Sequence, residues 1–180
     1  GAETERVPTP LETLRQLTIV DTPGTNALDR AHEALTTDFV PRADLVLFAP
    51  DYGIDDFRDR QAMLDRMVER TTVYVSEKDR LLWLSAAVNG VPRLGQGGEH
   101  LATGPGFDTI DVSPLRRYHP TGHEYHVFHP LVEQDLVELL VDGAAASART
   151  HTVEATRDGQ RYFTLADSPT PDAGEETRAR

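Results

Sequence analysis

Residues 71–95 read TTVYVSEKDRLLWLSAAVNGVPRLG, and this stretch decides the fold class. An apolar, β-branched run at residues 72–75 predicts a strand, and residues 80–88 predict a helix, with Ser76 and Asp79 in the loop between them. Parallel α/β sheets present their functional side chains in such loops, at the carboxyl ends of the strands. The stretch therefore predicts an α/β fold with Asp79 at a candidate site.

The rest of the chain alternates strands and helices around this unit. Strands are predicted at residues 17–20, 43–49, 72–75 and 109–112, and helices at 27–37, 55–70, 80–88 and 130–141. Such alternation predicts a mostly parallel sheet of about four core strands, flanked by helices. The run 43–49 is typical of a strand buried on both faces. Met63 and Met67 fall on the apolar stripe of a helix and are predicted to be core residues.

Two loops and the C-terminal region complete this organisation. Residues 90–106 are rich in glycine, and LGQGG at 94–98 is predicted to be a flexible loop near the site. Asp158-Gly159 between two β-rich runs predicts a C-terminal β-hairpin. Residues 1–166 are predicted to form a single domain, and residues 167–180 a disordered acidic tail.

Composition limits the classes of partner. Thirty acidic and eighteen basic residues give a formal charge of −12, which repels nucleic acids and anionic membrane surfaces. There is no cysteine, so disulfides and thiolate metal sites are excluded, and the composition fits a reducing cytoplasm. No apolar run approaches the ~18 residues of a membrane span. We predict a soluble, cytoplasmic protein that binds neither nucleic acid nor membranes, and leave its oligomeric state open.

The motifs APD, DDFRDR, TTVYVSEKDRLLWL, DTIDVS, GHEY and VEQDLVELL, spread over residues 49–143, resemble a bacterial family of esterase/lipase-like α/β-hydrolases. The resemblance implies that Asp79 is the acid of a catalytic triad and His123 its general base. It also implies a small-molecule ester or acyl substrate and no cofactor. The order Asp then His agrees with the last two members of such a triad, but no G-x-S-x-G nucleophile turn occurs in the sequence.

Physical chemistry supports pairing Asp79 with His123, because a histidine base needs a carboxylate to fix its tautomer. The alternative is structural: Asp79 caps the helix that begins at Arg80, and His123 is a loop histidine. Ser76, Ser85 and Ser113 are not favoured as nucleophiles, since none lies on a nucleophile elbow.

Residues 14–48, LRQLTIVDTPGTNALDRAHEALTTDFVPRADLVLF, are similar to the switch region of bacterial dynamin-like GTPases. That resemblance implies that Asp21 helps to hold Mg²⁺ through water and that Gly24 donates a backbone N–H to the γ-phosphate. No G-x-x-x-x-G-K-[ST] loop accompanies them, and a structural β-turn at residues 21–24 is the simpler interpretation. Two alternatives to a hydrolase therefore stay open: a nucleotide-binding fragment, and a non-catalytic domain recombined or designed from both families, joined near residues 47–50.

Four histidines in HPTGHEYHVFH, at positions 119, 123, 126 and 129, invite a metal interpretation. The spacing of the H-E-x-x-H zinc motif is not met, so we predict no metal site. We expect Tyr125 to face the core and several of the histidines to face water.

A cluster of acidic residues, Asp51, Asp55 and Asp56, follows the second predicted strand. In a hydrolase these side chains would line the cleft at the carboxyl edge of the sheet. Otherwise Asp55 or Asp56 simply starts the following helix.

Overall fold

A computed structural model describes residues 44–116 and 120–166 of the chain. Its strands are β1 (Asp44–Phe48), β2 (Arg70–Val75), β3 (Asp108–Asp111), β4 (Thr152–Arg157) and β5 (Gln160–Leu165). Its α-helices are α1 (Ile54–Met67), α2 (Arg80–Asn89), α3 (Tyr125–Phe128) and α4 (Pro130–Leu140), and short 3₁₀ helices span Gly98–His100 and Ala146–Ala148. The predicted strand at 17–20, helix at 27–37 and tail at 167–180 lie outside these ranges. Among the helices described, none is long and apolar enough to cross a membrane.

The described strands form one five-stranded sheet in the order β1-β2-β3-β5-β4. β1, β2, β3 and β5 run parallel to one another, and β4 pairs antiparallel with β5. Helices separate β1 from β2 and lie between β3 and β4 in the chain. The mostly parallel sheet with flanking helices confirms the predicted α/β class and agrees with an α/β-hydrolase-like fold.

β2 lies between β1 and β3 and carries the core on both faces, because successive side chains of a strand point to opposite sides. Val73 and Val75 pack on one side and Tyr74 on the other, and all three are fully buried. The first cluster contains Phe57, Val73, Val75, Leu94 and Ala102. The second contains Tyr74, Ile110, Val112, Leu115, Val132, Ala146, Phe163 and Leu165. Helix α1 thus covers one face of the sheet, and helix α4 covers the other.

The predicted hairpin is present and turns at Asp158 and Gly159, whose φ angles are 50° and 75°. Two consecutive left-handed residues are typical of a type I′ turn, whose twist matches that of the strands it joins. The sequence did not indicate that this hairpin extends the main sheet. β5 lies parallel beside β3, with Ile110 opposite Phe163.

Two predictions about burial were wrong. All five residues of β1 are only half-buried, since among the described strands β1 has a single neighbour, β2. Met63 and Met67 are also half-buried, and Phe57 is the buried residue of α1. Phe57 packs edge-on against Phe107 with ring centroids 5.2 Å apart.

The segment Arg93–Gly97 is buried, contrary to the prediction of a flexible loop. It crosses the carboxyl ends of β1 and β2, where Gly95 N–H donates to the Pro50 carbonyl at 3.0 Å and the Gly95 carbonyl accepts from Ser76 N–H at 3.0 Å. Gly95 is required for this approach, because a Cβ atom there would lie 2.5 Å from the Ala49 carbonyl carbon. Backbone hydrogen bonds therefore hold the segment against the strand ends.

Candidate active site

The site lies where β2 ends and α2 begins. After Val75 the chain passes through Ser76, Glu77 and Lys78 to Asp79, which immediately precedes the helix. The segment that carries His123 follows β3, the neighbouring parallel strand. Parallel neighbours end at the same edge of a sheet, and this edge brings Asp79 and His123 together.

Asp79 is completely buried and contacts both α2 and His123. Its Oδ1 accepts hydrogen bonds from the backbone N–H groups of Leu81 at 3.0 Å and Leu82 at 3.1 Å, which makes it the N-cap of α2. Its Oδ2 lies 2.7 Å from His123 Nδ1. The same carboxyl group therefore caps α2 through one oxygen and contacts His123 through the other.

His123 lies on the accessible side of this pair, with 31% of its side chain exposed against 0% for Asp79. Thr121 holds its backbone in place. The Thr121 carbonyl accepts from Arg80 N–H at 2.9 Å, and the Thr121 hydroxyl oxygen accepts from His123 N–H at 3.3 Å. The histidine loop is thereby tied to the first residue of α2, directly beside Asp79.

This geometry suits proton transfer. A carboxylate only accepts hydrogen bonds, so an ionised Asp79 requires the ring proton of His123 to be on Nδ1. Nε2 then carries the free lone pair. An imidazole oriented in this way can take a proton from a hydroxyl group or a water molecule, which is general-base chemistry.

The sequence predicts that several histidines of this segment face water. In the structure, His126 and His129 instead pack against other residues. His126 stacks on Phe48 with ring centroids 5.1 Å apart, and burial, reinforced by the nearby His123, lowers the pKa of its imidazole. His129 is buried, and its Nδ1 accepts from Leu131 N–H at 3.3 Å at the start of α4. His119 lies outside the described residues. Within residues 44–116 and 120–166, no group of three or more His, Asp or Glu side chains is placed to hold a metal ion.

Three serines near the sheet edge are occupied in other contacts. Ser76 Oγ accepts from Lys78 N–H at 3.2 Å, and Ser85 Oγ donates to Asp51 Oδ1 at 2.6 Å. Ser113 Oγ donates to Asp111 and accepts from Glu77 N–H at 2.8 Å. These contacts give each hydroxyl oxygen a structural partner.

The acidic residues after β1 have structural contacts. Asp51 Oδ1 lies 3.1 Å from Arg93 Nε, beside the buried segment Arg93–Gly97. Asp55 and Asp56 stand in the first turn of α1, and Asp55 pairs with Arg58 at 3.6 Å on the surface. Asp55 and Asp56 therefore fit the helix-start interpretation, since negative charge is favourable at a helix N-terminus.

One buried cluster was missed at the sequence level. Asp135 and Arg149 are ion-paired at 2.8 Å with side chains 1% and 0% exposed, and the Tyr74 hydroxyl donates to the same Asp135 oxygen. A signal was present: Val132, Asp135 and Leu139 share one helical stripe, and all three are buried. An acidic residue on an otherwise apolar stripe is thus the sequence feature that points to this cluster.

A comparison with characterised sequences finds a segment shared with a GTPase. A protein of Arabidopsis thaliana described as a probable transmembrane GTPase FZO-like, chloroplastic, is 51% identical over 39 residues. The match covers 22% of this chain and 4% of that protein, so this chain spans only a small part of that relative. It supports in part the resemblance noted for residues 14–48, although Asp21 and Gly24 lie outside the described residues. No solved structure matches the chain.

A protein-family model described as alpha/beta hydrolase of unknown function (DUF900) matches residues 10–139. The match starts well before residue 49, where the motifs of the hydrolase resemblance begin. It also runs through residues 47–50, the predicted junction between the GTPase-like and hydrolase-like segments. It includes β1, β2 and β3 and both Asp79 and His123. The chain therefore belongs to this family of α/β-hydrolases of unknown function.

Proposed function

We propose that this domain hydrolyses an ester or acyl bond of a small-molecule substrate, with His123 as the general base and Asp79 as the carboxylate that orients it. The observation that carries the proposal is the 2.7 Å contact between a fully buried carboxyl group and a partly exposed imidazole. Membership of a hydrolase family supports the reaction class.

Two sources of the attacking group are compatible with this site. In one, a nucleophile from outside the described residues gives its proton to His123 Nε2 and attacks the carbonyl carbon, and the imidazolium protonates the alkoxide that leaves. Water activated by the same imidazole then hydrolyses the covalent acyl intermediate, releasing the acid and the nucleophile. In the other, His123 takes a proton from water, the resulting hydroxide attacks the carbonyl carbon, and the imidazolium returns the proton to the leaving alkoxide. The second route is slower, because it lacks the covalent step and the oxyanion site that accompanies a nucleophile elbow.

The test is hydrolysis of p-nitrophenyl acetate and butyrate by the purified chain and by His123→Ala and Asp79→Ala. Both variants should fall to the background rate while retaining the circular dichroism spectrum of the parent. Imidazoles outside the site also react slowly with such activated esters, so His151→Gln serves as the matched control for background. An unchanged rate in His123→Ala would refute the proposal.

A second candidate function is nucleotide binding, favoured by the 39-residue match to a GTPase. Asp21 and Gly24 would then lie at the phosphate end of the nucleotide. Titration of the chain with GTP in the presence of Mg²⁺ tests this candidate, with Asp21→Ala as the control for site-specific binding. No binding at millimolar GTP would discard it, and inactivity in both assays would favour a non-catalytic domain.

A further inference from the structure

The segment from Thr121 to Tyr125, with His123 at its centre, is anchored at both ends. At the first end, the Thr121 carbonyl accepts from Arg80 N–H at 2.9 Å. That contact ties the segment to α2, the helix that Asp79 caps. At the second end the anchor is the side chain of Tyr125.

The Tyr125 hydroxyl joins the ends of two strands. It donates to the Tyr74 carbonyl of β2 at 2.8 Å and accepts from the backbone N–H of Ala49, directly after β1, at 2.9 Å. The same Ala49 N–H also lies 3.2 Å from the Tyr74 carbonyl oxygen. One phenol therefore connects the histidine segment to both strands at the edge where the site lies.

The backbone of Ala49, directly after β1, has a conformation that requires stabilising contacts such as the one from the Tyr125 hydroxyl. Ala49 has a φ angle of 41°, in the left-handed region that residues other than glycine seldom adopt. Surrounding contacts must hold a backbone in this conformation, and the hydroxyl supplies one of them. Burial raises the pKa of Tyr125 far above neutrality, and the charges of Asp79 and Asp111 raise it further despite the Ala49 N–H. The hydroxyl therefore stays protonated and continues to donate to Tyr74.

We infer that Tyr125 is a positioning residue for His123: its hydroxyl fixes one end of the histidine segment to β1 and β2, as Thr121 fixes the other end to α2. The inference rests on the proposed general-base role of His123. Tyr125 itself takes no part in proton transfer, and its effect reaches the reaction through the His123–Asp79 distance. Displacements of about 1 Å at a catalytic group can lower a rate by as much as about 100-fold.

Tyr125→Phe removes the hydroxyl and keeps the ring. We expect kcat for p-nitrophenyl butyrate to fall about tenfold while KM stays within about twofold, because orientation of the base and not substrate binding is changed. We also expect the Nδ1 proton signal of His123, identified by NMR as the signal that Asp79→Asn abolishes, to broaden or shift.

Thr109→Val is the matched control, since it removes another buried hydroxyl that donates to a backbone carbonyl, that of Ala102 at 2.7 Å. Unfolding of both variants in urea measures the stability that each loses. The inference is supported if Tyr125→Phe changes kcat and the His123 signal and Thr109→Val changes neither.

The inference is overturned if the two variants behave alike, or if Tyr125→Phe loses activity with an unchanged His123 signal. The NMR measurement also separates this inference from the proposed function. If the parent chain hydrolyses no ester, the proposed function fails, but a His123 signal that is altered in Tyr125→Phe alone still supports the positioning role, and an unaltered one overturns it.

Discussion

Asp79 Oδ2 and His123 Nδ1 lie 2.7 Å apart although 44 positions separate the two residues in the chain. The other oxygen of the same carboxyl group caps α2. The cap stabilises the helix, and its two N–H donors also fix the direction in which Oδ2 faces the imidazole. The stability of α2 and the orientation of His123 thus depend on one side chain, and different substitutions at Asp79 can separate these two effects.

Asp79→Asn should keep the hydrogen bonds that cap α2 but should impair His123 as a general base. Asparagine is as good an N-cap as aspartate, so we expect little change in the free energy of unfolding from the helix. Its amide nitrogen, however, cannot accept the Nδ1 proton, and the wrong histidine tautomer results. We expect kcat for ester hydrolysis to fall by roughly 10³–10⁴-fold, as measured with p-nitrophenyl butyrate.

Asp79→Ala is the companion variant, because it loses both roles. It should show the same loss of activity and, in addition, about 1 kcal/mol lower stability in urea unfolding from the lost cap. Full activity in Asp79→Asn would mean that the carboxyl group serves the helix alone.

The buried cluster of Tyr74, Asp135 and Arg149 predicts a strong dependence of folding on each charge. Asp135→Leu leaves the Arg149 guanidinium buried without its carboxylate, and this should cost about 3–5 kcal/mol of unfolding free energy. The double variant Asp135→Leu/Arg149→Met removes both charges. It should lose less than the sum of the two single changes, as a double-mutant cycle in urea would measure.

The surface pair Asp55–Arg58 provides the control, since its atoms are 3.6 Å apart and its side chains are 97% and 54% exposed. Arg58→Ala, which breaks the same pair from the other side, should leave the unfolding midpoint nearly unchanged, because solvent screens exposed pairs. Strictly additive single and double changes at Asp135 and Arg149 would contradict the prediction.

Local pattern was sufficient for those features that depend on chain neighbours. The helix predicted at 80–88 is Arg80–Asn89, and the hairpin at Asp158-Gly159 follows from turn chemistry. The pairing of Asp79 with His123 was implied by the family resemblance, and their proximity agrees with a topological rule, because parallel neighbouring strands end at one edge. The helix and the hairpin themselves require only residue spacing and turn chemistry.

Features that depend on contacts between distant parts of the chain could not be predicted from local sequence pattern. Gly95 and Gln96 occur in a stretch that composition marks as flexible, yet the approach of β1 and β2 buries both. The sequence places Asp135 on a buried stripe but does not reveal its partner, because Arg149 lies beyond α4 in a different part of the chain. The sequence predicts that Tyr125 faces the core but not where its hydroxyl binds, since its two partners are backbone groups of Ala49 and Tyr74, which carry no side-chain signature.

Asp111 predicts a pH dependence of stability. Burial raises the pKa of its carboxyl group, against the hydrogen bonds from Ser113, so the folded state holds this proton more tightly than the unfolded chain. The protonated Asp111 carboxyl group therefore contributes to the free energy of unfolding at low pH. This contribution is lost as the pH rises from about 4 through the raised pKa of the folded state. Asp111→Asn cannot ionise, and its carbonyl oxygen can still accept from Ser113 N–H, which lies 2.9 Å from Asp111 Oδ1.

We therefore expect Asp111→Asn to be more stable than the parent at neutral pH, with a difference that shrinks as the solution is acidified. Urea unfolding at several pH values measures both curves. Parallel curves would contradict the prediction, because they would mean that Asp111 has the same proton affinity in the folded and unfolded chain.

Gly95→Ala should disrupt the segment that crosses the strand ends. The added Cβ would lie 2.5 Å from the Ala49 carbonyl carbon and 2.6 Å from Pro50 N, and backbone atoms cannot move aside as a flexible side chain can. We expect the free energy of unfolding, measured in urea, to fall by about 1–3 kcal/mol.

Gly104→Ala is the matched control, because its Cβ would meet only the Phe107 ring, with Cε1 at 3.4 Å, an ordinary contact. That variant should be neutral or gain up to about 1 kcal/mol from the lower entropy of its unfolded chain. Equal tolerance of alanine at both positions would mean that the segment does not pack against β1 as closely as these distances require.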